Sequence, residues 1–359
     1  MKLFNCTHCK QVVYFENDHC ERCDFPLGFE AAQQQVVALE QREAQTYAAY
    51  NQPNGATYAY CANHAENACN WLVPAGSPEP LCQACVLNRT IPKLSEPEHI
   101  ARWQKLEVAK HRLVFSLLQL GLPIVSKTEN AETGLAFDFL ADEQKPQGEK
   151  VLTGHDNGLI TINIKEADDV EREMARKNMD EVYRTVLGHF RHEVGHYYWD
   201  RLIDNTPHLA EYRHLFGDER ADYAEALKVH YDQGPPADWN QHYISAYATT
   251  HSWEDWAETW AHYLHIVDTL QTASAFGLRV RPQVSEVEDH LTAQITEDPY
   301  QMESIEELMK QWLPLSLALN SLNRSMGLPD VYPFVVPPAV IEKLGFIHKV
   351  CRQAGHRQG

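Results

Sequence analysis

The sequence lacks several features that would place it in common functional classes. No apolar run approaches the roughly 18–20 residues that a helix needs to cross a bilayer, and the first residues are not those of a secretory leader. There is no glycine-rich phosphate loop, dinucleotide fingerprint or internal repeat. These absences argue against a membrane partner and against a nucleotide-binding enzyme, and we expect a cytoplasmic location.

Positive charge is also scarce. The 359 residues include 31 lysines and arginines against 50 aspartates and glutamates, so the formal net charge is −19. An acidic chain repels the phosphate backbone of nucleic acids unless a local basic patch intervenes, and only short basic pieces such as residues 105–112 are visible. Nucleic acid is therefore not an expected partner. Length and a hydrophobic content of 44% predict two or three globular units.

The strongest chemical signal that is present is His192-Glu193-Val-Gly-His196. The preceding run, residues 180–190, has apolar residues at helical spacing, so the motif is predicted to lie within a helix. Two histidines four positions apart share one helix face. Both imidazoles can then bind one Zn²⁺ while Glu193 points at the metal's water. The alternative is an exposed polar helix face without a metal.

A zinc ion held by two histidines needs a third protein ligand and an open position for water. Residues 247–262 predict a second helix, in which Ser252 and Asp255 match a capping box. Glu254 and Glu258 fall on a common face of that helix. One can bind the metal while the other accepts the free N–H of a ligand histidine, and the residues alone leave both assignments open. The aromatic residues predicted to face the core are Trp253, Trp256, Trp260 and Tyr263.

The spacing of Tyr247, Glu254 and Glu258 resembles the second-helix signature of gluzincins, metallopeptidases of the lethal-factor and Mlc-titration-factor type. The resemblance implies that Glu254 is the third zinc ligand, that Glu258 supports a ligand histidine, and that Tyr247 stabilises an oxyanion. From the residues alone, Glu254 also fits a solvated first-turn position with Glu258 as the ligand, and Tyr247 fits a place in the core.

Residues 191–200, together with a cysteine-rich N-terminus, resemble a bacterial family of zinc-binding metallopeptidases that carry a zinc-ribbon domain. This resemblance covers nearly the whole chain. The expected fold class is α+β, with a zincin-like metallopeptidase domain, mostly helical with a small mixed sheet, preceded by small zinc-ribbon modules. The family is defined by its motif more than by a known substrate, so the substrate stays open.

The cysteines supply a second, independent signal. Those at the N-terminus follow the spacing C-x2-C-x10-C-x2-C, two knuckles whose four thiolates can close a tetrahedral structural zinc site. This first set comprises Cys6, Cys9, Cys20 and Cys23. The second set comprises Cys61, Cys69, Cys82 and Cys85, of which the last two form a knuckle. His64 is an alternative ligand to Cys69, and Cys351 is left as a packing or free thiol.

We predict a tandem zinc-ribbon region over residues 1–95, with its first site at 1–28 and its second at 58–92, followed by a metallopeptidase domain over 96–359 with a helical C-terminal part. A disulfide framework is the alternative for the cysteines, and the knuckle spacing disfavours it. Bound zinc contributes folding free energy to a region poor in apolar runs. The ribbons are expected to recognise a protein partner or to regulate access to the cleft.

Coarse elements are predicted between the motifs. Residues 30–50 are rich in glutamine and alanine and predict a helix, followed by a turn at 53–55. A helix is predicted over residues 97–120, and strands over 136–140 and 159–164. By resemblance to zincins, the second of these strands is expected to be an exposed edge that pairs with an extended substrate peptide.

Helices are predicted from residue 272 onwards. Five leucines there are expected to pack beneath the catalytic helices: Leu313, Leu315, Leu317, Leu319 and Leu322. Asp218 and Asp222 either orient a ligand histidine or belong to a helix start after Gly217. Four further histidines are expected to pack or to support the site instead of binding metal: His189, His251, His262 and His265.

Together these patterns predict a zinc-dependent metallopeptidase that hydrolyses a protein or peptide substrate and holds one catalytic and two structural zinc ions. His192, His196 and Glu254 would hold the catalytic zinc, Glu193 would act as general base and acid, and Tyr247 would donate to the oxyanion. The alternative is a regulatory zinc-binding module for nucleic acid or protein, with a non-catalytic HExxH site. Glu193 argues against it, because a purely structural site needs no glutamate beside the water.

Overall fold

The computed structural model describes residues 2–43, 45–52, 54–144, 150–172, 185–283 and 291–355. The chain forms two compact units. The first consists of Met1–Phe115 and Val125–Ala175, and the second of Ser116–Ile124 and Arg176–Gly359. Because the units interleave along the chain, the predicted domain boundary after residue 95 stays a prediction. The α+β class is confirmed, since the structure contains both helices and sheets.

The N-terminal part of the first unit is built from short antiparallel strands. Strand β1 (Phe4–Asn5) pairs with β2 (Val12–Val13). A five-stranded antiparallel sheet follows in the order β3-β4-β5-β6-β7, with strands Leu27–Glu30, Gln35–Gln41, Tyr47–Ala49, Thr57–Tyr60 and Leu72–Pro74. Phe15, Phe29 and Trp71 pack against one another in edge-to-face and tilted arrangements as its aromatic core.

The helix predicted over residues 30–50 is wrong, because this stretch forms β4, β5 and the turns around them. Val36 and Ala38 are buried while Val37 between them is half-buried, which is the two-residue period of a strand. Glutamine and alanine favour a helix locally, but pairing of β4 with a strand on each side overrides that preference. Of the predicted turn, residue 53 lies outside the described residues.

A four-stranded mixed sheet completes the first unit in the order β10-β11-β9-β8. Its strands are β8 (Asn88–Thr90), β9 (Ala136–Leu140), β10 (Gly154–Asp156) and β11 (Leu159–Asn163). Strands β9 and β11 confirm the two predicted strands. The expectation that β11 is an exposed edge is wrong, because β9 pairs with it on one side and β10 on the other. Asn157 and Gly158, both at positive φ, make the tight turn that folds β10 onto it.

Helix α1 (Pro97–Gln119) follows β8 and confirms the helix predicted over residues 97–120. It ends just before Gly121, whose φ of 63° is the left-handed conformation that commonly closes a helix. Among all helices in the part of the chain that the structure describes, none combines the length and the apolar character that a membrane span requires.

The second unit is mainly helical. Its helices are α2 (Val186–Leu202), α3 (Leu209–Phe216), α4 (Tyr223–Gln233), α5 (Ser252–Ala275), α6 (Ile305–Ser325) and α7 (Pro338–Gly355). Strands β12 (Arg279–Val280) and β13 (Ala293–Gln294) form a short antiparallel pair. Trp256, Trp260 and Tyr263 of α5 are buried as predicted, whereas Trp253 is half-buried.

The close approach of α2 and α5 depends on Gly195. A Cβ atom at this position would lie 3.1 Å from Cα of Ala257 and 3.2 Å from Cδ1 of Trp260. The indole N–H of Trp256 donates to the carbonyl of Gly195 at 2.8 Å and ties the two helices together. The motif histidines stand on either side of Gly195, and the two predicted glutamates on either side of Ala257. This contact therefore brings all four side chains to one place.

The capping box predicted at Ser252 and Asp255 is wrong. His251 is the N-cap of α5, and its side chain accepts the N–H of Trp253 at 3.1 Å. Asp255 is fully buried and pairs with Nζ of Lys343 at 2.6 Å. Lys343 lies far along the chain, so local spacing could not reveal that the carboxylate has a charged partner in place of a backbone one.

The leucines expected beneath the catalytic helices are mostly exposed. Leu315 is buried, but Leu313, Leu317 and Leu322 are 46%, 51% and 63% exposed, and Leu319 is half-buried. Residues two apart lie on different faces of a helix, so this spacing cannot form one buried stripe. The buried stripe of α6 instead follows the helical period through Ile305, Leu308, Met309, Trp312 and Leu315.

Candidate functional site

The motif histidines lie on α2, which begins at Val186. Thr185 caps the helix, and its side chain accepts the N–H of Gly188 at 2.9 Å. Residues 180–184 of the predicted helix lie outside the described residues. His192 and His196 are one turn apart, and their Nε2 atoms are separated by 3.2 Å. Two imidazole nitrogens this close can share a single cation.

Helix α5 brings Glu254 against both histidines. Its Oε2 lies 3.0 Å from Nε2 of His192, and its Oε1 lies 3.7 Å from Nε2 of His196. The ligand atoms of the three side chains all lie within 4.8 Å of one another. Oε2 of Glu254 is buried and accepts no hydrogen bond from the described residues, so a cation would satisfy it. Two imidazoles and one carboxylate are a donor set that fits Zn²⁺.

Glu258 contacts the opposite side of the His192 ring. Its Oε1 lies 2.8 Å from Nδ1 of His192, and its Oε2 accepts the hydroxyl of Ser245 at 2.6 Å. A proton on Nδ1 donates to this carboxylate and leaves the lone pair of Nε2 directed at the metal position. Sequence reasoning missed Ser245, because no motif marks a serine in the loop before α5.

Electrostatic interactions couple the glutamates and the histidines of the site. Burial disfavours the charged form of His192, yet Glu254 and Glu258 raise the pKa of this histidine well above its usual range. Burial also opposes the carboxylate of Glu254, but His196 and His192 hold its pKa well below its usual range. The carboxylates thus create a negative potential at the histidines. A divalent cation bound by neutral imidazoles would neutralise the same potential.

Glu193 adjoins these ligands along the chain, and Tyr247 lies near them in space. Glu193 follows His192 on α2 and is half-buried. Tyr247 lies in the turn before α5, with its ring centroid 6.1 Å from that of His192. Burial and the neighbouring Glu254 raise the pKa of Tyr247, so its hydroxyl stays protonated and can donate a hydrogen bond.

Tyr223 is a second tyrosine at the site, and sequence reasoning missed it. It is the first residue of α4, and its hydroxyl donates to Oε1 of Glu254 at 2.7 Å. The preceding Asp222 caps α4 by accepting the N–H of Glu225, which confirms that Asp222 belongs to a helix start. That capping signal marks where α4 begins, but it contains no information about which side chain Tyr223 reaches.

The other polar residues that the sequence analysis singled out in this unit lie outside the group formed by His192, His196 and Glu254. Asp218 pairs with Arg220 at 2.7 Å. His251 caps α5, and Nδ1 of His262 contacts the hydroxyl of Tyr332 at 2.8 Å. None of the four further histidines belongs to a possible metal group among the described residues: His189, His251, His262 and His265.

The first cysteine set forms a four-sulfur cluster in the first unit. Sγ of Cys6 lies 3.8 Å from that of Cys23, and Sγ of Cys9 lies 3.6 Å from that of Cys20. A tetrahedron with metal–sulfur bonds of about 2.3 Å has edges of about 3.8 Å. The sulfurs of a disulfide are only about 2.05 Å apart, and every cysteine of the described residues is free. These distances match a tetrahedral metal site.

The second cysteine set forms a cluster whose four members are all buried: Cys61, Cys69, Cys82 and Cys85. Sγ of Cys69 lies 3.7 Å from that of Cys82 and also accepts the N–H of Trp71 at 3.3 Å. The structure does not support His64 as a ligand, because its Nδ1 contacts the carbonyl of Cys69 at 2.8 Å. Cys351 is buried and belongs to neither set, and burial raises its pKa, as expected of a packing thiol.

Helix α1 presents three buried ionisable side chains to Cys85. Nε2 of His111 lies 3.5 Å from Sγ of Cys85, and Nζ of Lys110 lies 2.9 Å from the carboxylate of Glu107. Burial opposes the charge of Lys110, but Glu107 and Cys85 raise its pKa. Lys110 is thus not part of a basic surface. Its charge lies beside the sulfurs of the second set, where it would offset the negative charge of metal-bound thiolates.

Comparison with known proteins also indicates zinc binding. The family described as "Putative zinc-binding metallo-peptidase" matches residues 99–350, and a family of zinc-ribbon domains matches residues 3–96. Uncharacterised proteins of Mycobacterium bovis and of two strains of Mycobacterium tuberculosis are 42% identical over 351 residues, covering 98% of this chain and 95% of theirs. No solved structure matches the chain significantly. The chain belongs to the family described as "Putative zinc-binding metallo-peptidase" and carries an N-terminal zinc-ribbon domain.

Proposed function

We propose that the protein is a zinc-dependent metallopeptidase of the gluzincin type, which hydrolyses peptide bonds of a protein or peptide substrate. The convergence of His192, His196 and Glu254, on a helix pair that also presents Glu193, carries the proposal. A structural zinc site with these ligands needs no glutamate directly after its first histidine. Membership of a family of zinc-binding metallopeptidases supports the same assignment.

In this proposal Nε2 of His192, Nε2 of His196 and Oε2 of Glu254 hold the zinc ion, while Glu258 fixes the tautomer of His192. A zinc ion bound there would lower the pKa of a water molecule to about 7 and polarise the substrate carbonyl. The two cysteine sets hold two further zinc ions that stabilise the fold of the N-terminal region. The chain would therefore carry one catalytic and two structural zinc ions.

The side chains around the ligands perform the proton transfers. Glu193 takes a proton from the attacking water and delivers it to the leaving amine. The protonated hydroxyl of Tyr247 donates to the oxyanion that forms from the scissile carbonyl, a contribution on the order of 10²-fold in rate. Loss of Glu193 removes the base itself and should nearly abolish turnover.

The zinc-ribbon region is assigned a role in recognising a protein partner or in regulating access to the cleft. The net charge of −19 disfavours nucleic acid as that partner. The thiolates of both cysteine sets must stay reduced to bind zinc, and the cytoplasm provides such conditions. We therefore place the protein there.

The test compares the wild-type chain with Glu193→Gln at equal zinc content on a mixture of denatured proteins. Glutamine keeps the shape of the side chain but cannot accept the proton. We expect about three zinc ions per chain in both proteins, with cleavage lost in the variant. Glu211→Gln, which changes an exposed glutamate of the same unit, should cleave like the wild type.

Two results would contradict the proposal. About three zinc ions per chain without cleavage by the wild type would favour the regulatory zinc-binding module. Zinc bound by the cysteines alone would refute the metallopeptidase assignment, since the motif histidines would then hold no metal.

A further inference from the structure

Helix α4 buries little surface. None of its residues is buried, and Val229 and Tyr231 are 40% and 62% exposed. The helix ends at Gly234, whose φ of 74° is one that glycine adopts without strain. An element with so little buried surface belongs to the less stable parts of a fold.

Polar contacts connect α4 to the metal ligands and to the turn beside them. The hydroxyl of Tyr223 donates to Oε1 of Glu254 at 2.7 Å, and Nδ1 of His230 lies 3.3 Å from Oγ1 of Thr249. The first of these contacts reaches a side chain that we assign as a zinc ligand. The position of α4 is therefore linked directly to the geometry of the metal cluster.

The two carboxylate oxygens of Glu254 have different surroundings. Oε1 accepts the hydroxyl of Tyr223, whereas Oε2 faces Nε2 of His192 and accepts no hydrogen bond from the described residues. A carboxylate held through one oxygen cannot rotate freely. The contact with Tyr223 thus leaves Oε2 for the cation and reduces the entropy that the side chain loses when a cation binds.

We propose that Tyr223 is a positioning residue, which orients the carboxylate of Glu254 towards the zinc ion and thereby couples zinc binding to closure of α4 against the site. The inference rests on the proposed function, because it takes His192, His196 and Glu254 as the zinc ligands. Coupling between zinc binding and closure of α4 is reciprocal. If closure strengthens zinc binding by some factor, bound zinc must favour closure by the same factor. Loss of a residue that supports a zinc ligand typically lowers metal affinity about 10- to 100-fold.

The test uses the full chain, with Tyr223→Phe as the variant and Tyr231→Phe as the matched control on the same helix. Competition with a chelator measures zinc affinity. A His196→Ala chain, which keeps both cysteine sets, defines the zinc that the cysteines hold. Amide hydrogen exchange of residues 223–233 is followed with and without zinc at the site of His192, His196 and Glu254.

We expect zinc to slow exchange in α4 of the wild type and of Tyr231→Phe. In Tyr223→Phe, zinc affinity should fall about 10- to 100-fold, and exchange in α4 should no longer respond to zinc. A purely structural role of Tyr223 would change exchange equally with and without zinc. The zinc content of the cysteine sets should be the same in all three chains.

Two results overturn the inference in distinguishable ways. Unchanged zinc affinity in Tyr223→Phe, or a response of α4 to zinc that persists in it, would refute the role of Tyr223 and leave the proposed function intact. A wild-type chain that binds no more zinc than His196→Ala would refute the proposed function, and this inference with it.

Discussion

Replacing Gly195 by alanine tests how closely α2 and α5 must approach. The added methyl carbon would lie 3.1 Å from Cα of Ala257 and 3.2 Å from Cδ1 of Trp260. Carbon atoms in contact normally stay about 3.5–4.0 Å apart, so α5 has to move by about 0.5 Å. Such overpacking costs about 1–3 kcal/mol, while the higher helix propensity of alanine offsets up to about 1 kcal/mol. We expect a net loss of stability of about 0–2 kcal/mol.

The displacement should affect the metal site as well as stability. Glu254 is three residues before Ala257 on α5, and His192 and His196 stand on either side of Gly195 on α2. Moving the helices apart lengthens the distance from Oε2 of Glu254 to the imidazole nitrogens, which is 3.0 Å to Nε2 of His192. Zinc affinity should therefore fall together with stability.

Urea denaturation of the zinc-loaded protein and chelator competition measure the two effects. The control is Gly345→Ala, another helical glycine of the second unit. Its Cβ atom would lie 3.1 Å from Cγ2 of the buried Ile305, a contact as short as that at Gly195 but outside the contact of α2 with α5. The control should lose about as much stability, about 0–2 kcal/mol, with unchanged zinc affinity. If Gly195→Ala also left zinc affinity unchanged, the argument from close helix approach would be refuted.

Two buried charge effects give further predictions. Asp268→Asn should lower the free energy of unfolding by about 3–5 kcal/mol at neutral pH, because it leaves the buried Arg191 charge without its carboxylate. Denaturation should show a much smaller loss for Asp330→Asn, at the exposed pair with Arg324, because solvent screens that pair. Burial lowers the pKa of His262 from 6.5 to about 4, so the unfolded chain binds one more proton between these pH values. The free energy of unfolding should fall by about 3 kcal/mol as the pH falls through this window. Denaturation of His262→Gln at pH 7 and pH 4.5 should lack this pH-dependent loss.

Each of these predictions has a result that contradicts it. Equal losses in Asp268→Asn and Asp330→Asn would mean that burial does not make the Arg191 pair costly to break. An unchanged pH dependence in His262→Gln would mean that this histidine gains its proton as readily in the folded chain as in the unfolded one. Zinc release at low pH is common to both proteins of that comparison and cancels.

Elements with a clear local period were predictable from the sequence. The apolar spacing of α1, its proline near the start and Gly121 at its end define that helix within a few residues. Strands β9 and β11 were likewise marked by short runs of apolar and β-branched residues between turn residues. In these segments local preference and tertiary environment agree.

Other segments were predicted wrongly, because contacts outside each segment decide its structure. Residues 30–50 have a helical composition, yet pairing with neighbouring strands makes them part of a sheet. Asp255 matches a capping position, yet its carboxylate is buried and pairs with Lys343. The prediction that β11 is an edge strand was wrong, because a tight turn lets β10 pair with it. In each case the composition or spacing of the segment alone does not specify its partner.

The sequence by itself determined which chemical groups the protein carries and which of them are neighbours along the chain. The pitch of a helix puts His192 and His196 on one face, and the knuckle spacing puts pairs of thiolates together, because both relations act over a few residues. Only the tertiary structure decided that the carboxylate of Glu254 faces both Nε2 atoms while that of Glu258 contacts Nδ1 of His192. It also decided that Tyr223 and Ser245 contact these glutamates. Those contacts depend on how α2, α4 and α5 pack, which no local pattern specifies.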